Sequence, residues 1–133
     1  MIVDTSAMVA IVRDEPDGVA FMERIERAAL AGEAVRISAG TLVELFVVID
    51  RFKDARASQM LDALLVELKL EVFPVDAALA AIARTGSRRF GKGFSPARLN
   101  FGDCFAYALA MERGEKLLFK GEDFVHAGFA RAG

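Results

Sequence analysis

Four short apolar runs divide the chain, and longer helical stretches separate them. The runs are MIVD at residues 1–4, AVRIS at 34–38, LEVFPV at 70–75 and KLLFK at 116–120. Strands that alternate with helices imply a parallel sheet covered by helices on both faces. Strands buried on both faces read as continuous apolar runs, as these do. Between the first two runs, TSAMVAIVRD is helical, with Thr5 or Ser6 as N-cap. Val19, Phe21, Met22, Ile25, Ala28 and Ala29 then recur at helical spacing up to Gly32. GTLVELFVVIDRF and ARASQMLDALLVELK follow, the latter with Leu61, Leu64, Leu65 and Leu68 on one face. DAALAAIARTGSRRF and FGDCFAYALAMERG give two more helices. GEDF reads as a turn, and the tail VHAGFARAG as loosely structured.

No linker, repeat or composition break interrupts the 133 residues, so residues 1–133 are expected to form a single domain. Such a chain buries enough surface to fold without disulfides or a structural metal. The lone cysteine, Cys104, reads as a small buried apolar residue. No apolar run reaches the ~18 residues of a membrane span, and no basic leader precedes IVD. The expected location is the cytoplasm. Hydrophobic residues make up 54% of the chain, enough to leave apolar surface for a protein partner.

Net charge is −2, so nothing global marks a nucleic-acid binder. Locally, RTGSRRFGKGFSPAR carries Arg84, Arg88, Arg89, Lys92 and Arg98 with no acid among them. It reads either as a solvated loop or as a grip on a phosphate backbone.

The acids carry more information. Open parallel sheets gather function at the carboxyl ends of their strands. Asp4 ends the first run, Glu44 lies in the first turns of the helix after the second, and Asp123 lies just past the fourth. Asp103 opens the helix that feeds the last strand, so its edge depends on the fold. Each acid has a structural reading. Asp4 could cap the helix that begins at Thr5. TLVE, Thr41 to Glu44, matches a capping box, and Asn100 and Asp103 share that spacing. Asp123 could belong to a turn.

Taken together they read differently. Glu44 is the only charge in TLVELFVVI, and Asp103 the only one in LNFGDCFAYALA. Carboxylates meeting at one sheet edge repel by ~1–4 kcal/mol per close pair. A divalent cation relieves that repulsion, and oxygen-only ligands suit Mg²⁺ or Mn²⁺. Other chemistries fit poorly. The single histidine, His126, is near the tail, which disfavours a triad and rules out a histidine pair. FGKGF lacks the GxxxxGK[ST] spacing of a nucleotide-triphosphate loop. Metal-assisted chemistry on an anionic substrate is what remains.

MIVDTSA, the glutamate within TLVEL, LNFGDCFAYALA and LLFKGEDF, in that order and spacing, together resemble the PIN-domain ribonucleases. More narrowly, they resemble the VapC-type toxins of bacterial toxin–antitoxin modules. The resemblance covers the whole chain. It implies a three-layer α/β/α sandwich around a short, mostly parallel sheet of four to five strands. It implies an acidic Mg²⁺ or Mn²⁺ site that cleaves RNA phosphodiesters through a metal-activated water. It also implies a homodimer, with room for a larger assembly, and a VapB-like antitoxin that obstructs the site. Asp4, Glu44 and Asp103 match the three core acids, and Asp123 the more variable fourth. Asp4 and Asp103 would bind the metal, Glu44 would hold it or orient its water, and Asp123 would hold a second ion or position the attacking water. Ser6 matches a small hydroxyl that supports the first acid, and Asn100 stands where the motif carries a polar residue. Glu122 stands where many relatives are uncharged, so either Glu122 or Asp123 is a candidate to face the metal. Arg84, Arg88, Arg89, Lys92 and Arg98 are the candidate RNA contacts.

Two other readings stand beside this one. A phospho-accepting receiver is also a small α/β domain with clustered acids, and Lys120 at a strand end resembles its lysine. A receiver needs an acidic pair after its first strand, where this chain has VDTS, and an acceptor aspartate after its third. Asp76 instead begins an alanine-rich helix. A catalytically inactive, protein-binding domain of the same fold is the other alternative.

Overall fold

The computed structural model describes residues 1–131. Its strands are β1 (Ile2–Val3), β2 (Arg36–Ser38), β3 (Glu71–Phe73) and β4 (Leu117–Leu118). Its helices are α1 (Thr5–Val12), α2 (Gly18–Leu30), α3 (Ala39–Arg51), α4 (Ala55–Leu68), α5 (Ala77–Phe90), α6 (Asp103–Arg113) and α7 (Asp123–His126). The strands form one sheet in the order β3-β2-β1-β4, and every pairing is parallel. Ile2 lies opposite both Arg36 and Leu117, so β1 is central. The chain adds β2 and β3 on one side of β1 and then crosses to the other for β4. The topological switch therefore falls beside β1.

Side chains alternate across the strands and divide the core in two. Val3, Ile37 and Leu118 point into a cluster with Met8 of α1, Ile25 of α2, Leu45 and Ile49 of α3, and Leu61 and Leu64 of α4. Ile2, Leu117 and Phe119 point the other way, against Leu79 of α5 and Ala106 to Ala110 of α6. The result is the expected three-layer α/β/α sandwich, with four parallel strands. No described helix is long and apolar enough to cross a membrane.

Two local expectations need correction. Ser38 caps α3, accepting the Gly40 amide at 3.2 Å, so Thr41 and Glu44 lie inside the helix and form no capping box. The tail is more ordered than its composition suggests. Phe124 is buried, and Phe129 packs edge-on to Tyr107 with ring centres 5.8 Å apart. Residues 132 and 133 lie outside the described part.

The amino-terminal edge of the sheet is closed by compensated charge. The Met1 ammonium donates to Glu115 Oε2 at 2.7 Å and to the Ala34 carbonyl at 2.9 Å. Arg36 reaches Glu115 at 2.8 Å and Glu71 at 3.0 Å, and Arg113 reaches Glu115 at 2.7 Å. Burial pushes the Glu115 carboxyl up, but the ammonium, Arg113 and Arg36 outweigh it and hold the group at about 2. A carboxyl held low stabilises the fold above its unfolded value, and that contribution is lost as pH falls toward 2. Glu115→Ala should therefore destabilise the protein by roughly 1–3 kcal/mol near neutrality, because it removes the carboxylate shared by the ammonium, Arg36 and Arg113. The gap from wild type should shrink as pH falls from about 5 to about 2 in denaturant titrations. A constant gap over that range would reject the assignment.

Candidate active site

The opposite edge, at the carboxyl ends of the strands, carries acids without such compensation. Asp4 follows β1 directly and caps α1, its Oδ2 accepting the Ser6 amide at 3.0 Å and the Ser6 hydroxyl at 2.6 Å. The residue is 2% exposed, and its second oxygen, Oδ1, is buried without a hydrogen-bond partner. A buried carboxylate oxygen left unpaired is costly. Burial pushes the Asp4 carboxyl up to about 6; the Ser6 bonds oppose this, and the charge of Glu44 adds to it.

Asp103 reaches this edge because α6 runs down into β4, so its first turn lies at the top of the sheet. It forms the reciprocal box expected with Asn100. The Asn100 amide donates to Asp103 Oδ2 at 2.9 Å, and the Asp103 amide donates to Asn100 Oδ1 at 2.9 Å. Asp103 Oδ1 accepts no bond among the described residues. Burial pushes this carboxyl up to about 7, against the Asn100 amide, and Asp4, Glu44 and Asp123 push it further.

Glu44 comes from the second turn of α3 and is half-buried. It lines, with Asp4, Ser6, Asn100 and Asp103, a cleft of about 330 Å³ beside β1. Asp123 opens α7 at the exposed surface and does not line the cleft, although its charge acts on Asp103. Glu122 is engaged by Arg131, and the charge of Asp123 acts on Asp103.

The cleft also holds a pair that local sequence patterns did not reveal. Among the described residues Lys120 is the one cation that lines it, and its ammonium is held by Glu15 at 2.5 Å and Asp17 at 3.1 Å. Glu15 lies 105 positions away in the chain, so no local spacing signals the contact. The Lys120 amide donates to Ser6 Oγ at 2.9 Å. Ser6 therefore ties the end of β4 to the carboxylate at the end of β1.

The acids line a cleft rather than closing on a point. Among the described residues, no three acidic, histidine or cysteine side chains are already drawn together around one position. The donor set nevertheless suits a hard divalent cation. It consists of oxygens, one is a buried orphan, and two carboxyls are pushed above their ordinary range by burial and by neighbouring acids.

The basic segment is not one loop. Arg84, Arg88 and Arg89 lie on the last turns of α5, and Lys92 and Arg98 on the following loop. None of the five forms an ion pair among the described residues. Arg84 and Lys92 line an apolar groove of about 540 Å³ with Leu79, Phe101 and Phe105. Asn100 lines both that groove and the acidic cleft, so the two adjoin.

The receiver-like features have other uses here. Asp76 caps α5, accepting the Leu79 amide at 2.8 Å, and Lys120 is occupied by Glu15 and Asp17.

Comparison with known proteins agrees with the geometry. The family model for the PIN domain matches residues 1–130. The chain is 45% identical over 133 residues to ribonuclease VapC28 of Mycobacterium tuberculosis, covering 99% of this chain and 97% of that one. It is 43% identical over 127 residues to ribonuclease VapC42 of the same organism, covering 95% and 94%. Among solved structures, Mycobacterium tuberculosis VapC20, described as a sarcin–ricin loop cleaving toxin, superposes with a TM-score of 0.72 at 22% identity over 97% of this chain and 95% of that one. Rickettsia felis VapBC2, solved with a DNA fragment from its promoter, gives a TM-score of 0.67 at 20% identity over 91% and 86%. The chain belongs to the PIN domain family, among its VapC-type members.

Proposed function

We propose that this protein is a metal-dependent endoribonuclease and the toxin of a toxin–antitoxin pair. The observation that carries the reading is the cleft in which Asp4, Glu44 and Asp103 converge, with Asp4 Oδ1 buried and unpartnered. Curated relatives named ribonucleases, at 43–45% identity over nearly the whole chain, support the same reading. The family match over residues 1–130 supports a single nuclease domain.

When bound, a magnesium or manganese ion supplies positive charge to the phosphodiester and acidifies water. The rest is the work of this chain. Asp4 Oδ1 and Asp103 Oδ1 are the ligand atoms left open. Ser6 pins Asp4 Oδ2 and the Asn100 amide pins Asp103 Oδ2, so each carboxylate keeps its other oxygen without a hydrogen-bond partner. Glu44 would hold the ion or orient its water. Asp123, outside the cleft, would reach it through its charge on Asp103 and would position the attacking water or a second ion. Arg84 and Lys92, at the adjoining groove, attract the RNA backbone into a cleft that would otherwise repel it, and Arg88, Arg89 and Arg98 extend the positive field.

The apolar helices α3 and α4 divide their residues between core and surface. Leu45, Ile49, Leu61 and Leu64 are buried in the core, whereas Val43, Phe46 and Val47 on α3 and Met60 on α4 are exposed. These exposed residues support a protein interface, for a second copy of the chain and for a VapB-like antitoxin. The proposed compartment is the cytoplasm.

Asp4→Asn and Asp103→Asn should each lower RNA cleavage roughly 100-fold or more. Neither should lower the melting temperature of metal-free protein, because each removes a charge that burial disfavours. Manganese should raise the melting temperature of wild type and fail to do so for either variant. Cleavage at the wild-type rate by both variants would reject the site.

The pH dependence follows from the two raised carboxyls. An unfolded aspartate titrates near about 3.9, whereas these titrate at about 6 and about 7 in the folded chain. The folded state therefore binds more protons between those values, and stability falls as pH rises through that window. Metal-free protein should melt progressively lower from about pH 5 to about pH 8, and manganese should flatten the decline. Stability that rises with pH across this window would contradict it.

Arg84→Ala with Lys92→Ala, in the Asp103→Asn background, should weaken binding of single-stranded RNA. It should also reduce the slope of log affinity against log salt by roughly 0.7 for each phosphate no longer neutralised. An unchanged slope would remove the groove from the substrate path.

A further inference from the structure

We propose that Gly102 is a positioning residue whose missing side chain is the seat of the Glu44 carboxylate, an inference that rests on the metal-site reading above. Glu44 arises on α3, and Gly102 immediately precedes α6. A Cβ built on Gly102 would fall 1.4 Å from Glu44 Oε2, 2.2 Å from Cδ and 2.6 Å from Oε1. The carboxylate occupies the volume that any other residue at position 102 would fill.

The backbone supplies no other reason for a glycine there. Gly102 has φ −63° and ψ −39°, a conformation open to every residue and one in which alanine is favoured over glycine. Gly32, Gly93, Gly114, Gly121 and Gly128 differ, because each has positive φ and nothing within 4 Å of its absent Cβ. Gly40 and Gly86 are tight for a different reason. Their added Cβ atoms would strike the rings of Phe105 and Tyr107, bulky groups packed among neighbours. At Gly102 the obstacle is the far end of a flexible side chain, which can swing away at little cost to the fold.

Glu44 also lacks another anchor. No hydrogen bond or ion pair to its carboxylate exists among the described residues, whereas Asp4 is pinned by Ser6 and Asp103 by Asn100. Its place in the cleft is set by shape. The space at Gly102 lets the carboxylate lie against the start of α6, one residue from Asp103. Filling that space separates the two roles of position 102: the fold tolerates the new methyl group, and the third acid leaves the cleft.

The test compares wild type, Gly102→Ala, Glu44→Gln and the double variant. Gly102→Ala should melt at or above the wild-type temperature. In metal-free protein, the ¹³C signal of the Glu44 carboxyl should move in Gly102→Ala. In calorimetric titrations with Mn²⁺ alone, Gly102→Ala should bind about 10-fold more weakly than wild type. The double variant should match Glu44→Gln within about 2-fold, because the glycine acts only through the glutamate. The inference is overturned by a lowered melting temperature, by an unmoved Glu44 signal, by wild-type Mn²⁺ affinity in Gly102→Ala, or by losses that multiply in the double variant. If wild type itself binds no Mn²⁺, the metal reading fails, and the Glu44 signal still decides whether Gly102 seats the carboxylate.

Discussion

Asp4 is a carboxylate folded into the sheet at a place where one of its oxygens meets nothing that can donate to it. Water normally satisfies such a group, and β1 carries it out of water. Burial costs are met elsewhere in the molecule by pairing: at the opposite edge, Glu115 receives an ammonium and two arginines and titrates far below its ordinary range. The same sheet thus has two ends with opposite electrostatic treatment. One is neutralised within the chain. The other is left to be neutralised from outside, and the one cation that lines it among the described residues is held by Glu15 and Asp17.

The parallel topology makes this arrangement possible. Every strand points its carboxyl end to the same edge, so residues that follow β1, β2 and β4 meet although they are far apart in the chain. The crossing from one side of β1 to the other opens a crevice there. Three helices begin around it, α1 behind Asp4, α3 below Glu44 and α6 behind Asp103. Helix N-termini favour negative charge by a few tenths to about 1 kcal/mol, too little to offset deep burial. The carboxyls of Asp4 and Asp103 consequently lie above their ordinary range despite favourable helix dipoles. That residual penalty is what a divalent ion would relieve.

Much of this was legible in the sequence, and the reasons for the exceptions are physical. The apolar runs located every strand; β1 and β4 are buried on both faces and have no polar alternation to hide them, whereas β3 is an edge strand with Glu71 and Val72 exposed. The Asn100–Asp103 spacing announced its reciprocal cap, since that interaction is local. TLVE carried the same signal and did not form one, because β2 delivers Ser38 to the cap position first. The basic run spans two kinds of structure: the stretch DAALAAIARTGSRRF already reads as a helix and carries Arg84, Arg88 and Arg89 on α5, while glycine and proline put Lys92 and Arg98 on the loop that follows. Glu15 with Lys120, and Gly102 with Glu44, are pairings between distant segments. No period or spacing encodes them, and only the assembled fold brings them together.

Capping a helix and holding a metal look like rival uses of an acid, and in the proposed site they are not. A carboxylate has two oxygens. Asp103 spends one on the amide that fixes the start of α6, and Asp4 spends one on the amide that starts α1. Each bond holds its side chain in place and leaves the other oxygen without a partner. An acid free of structural work would rotate, and its open oxygen would have no defined position. Glu44 has no such bond, and it is also the acid whose place depends on the space beside a glycine. Rigidity at this edge is therefore supplied in two ways, by caps for the aspartates and by an absent side chain for the glutamate. A sequence can keep every acid and still lose the site by changing the residue that carries none.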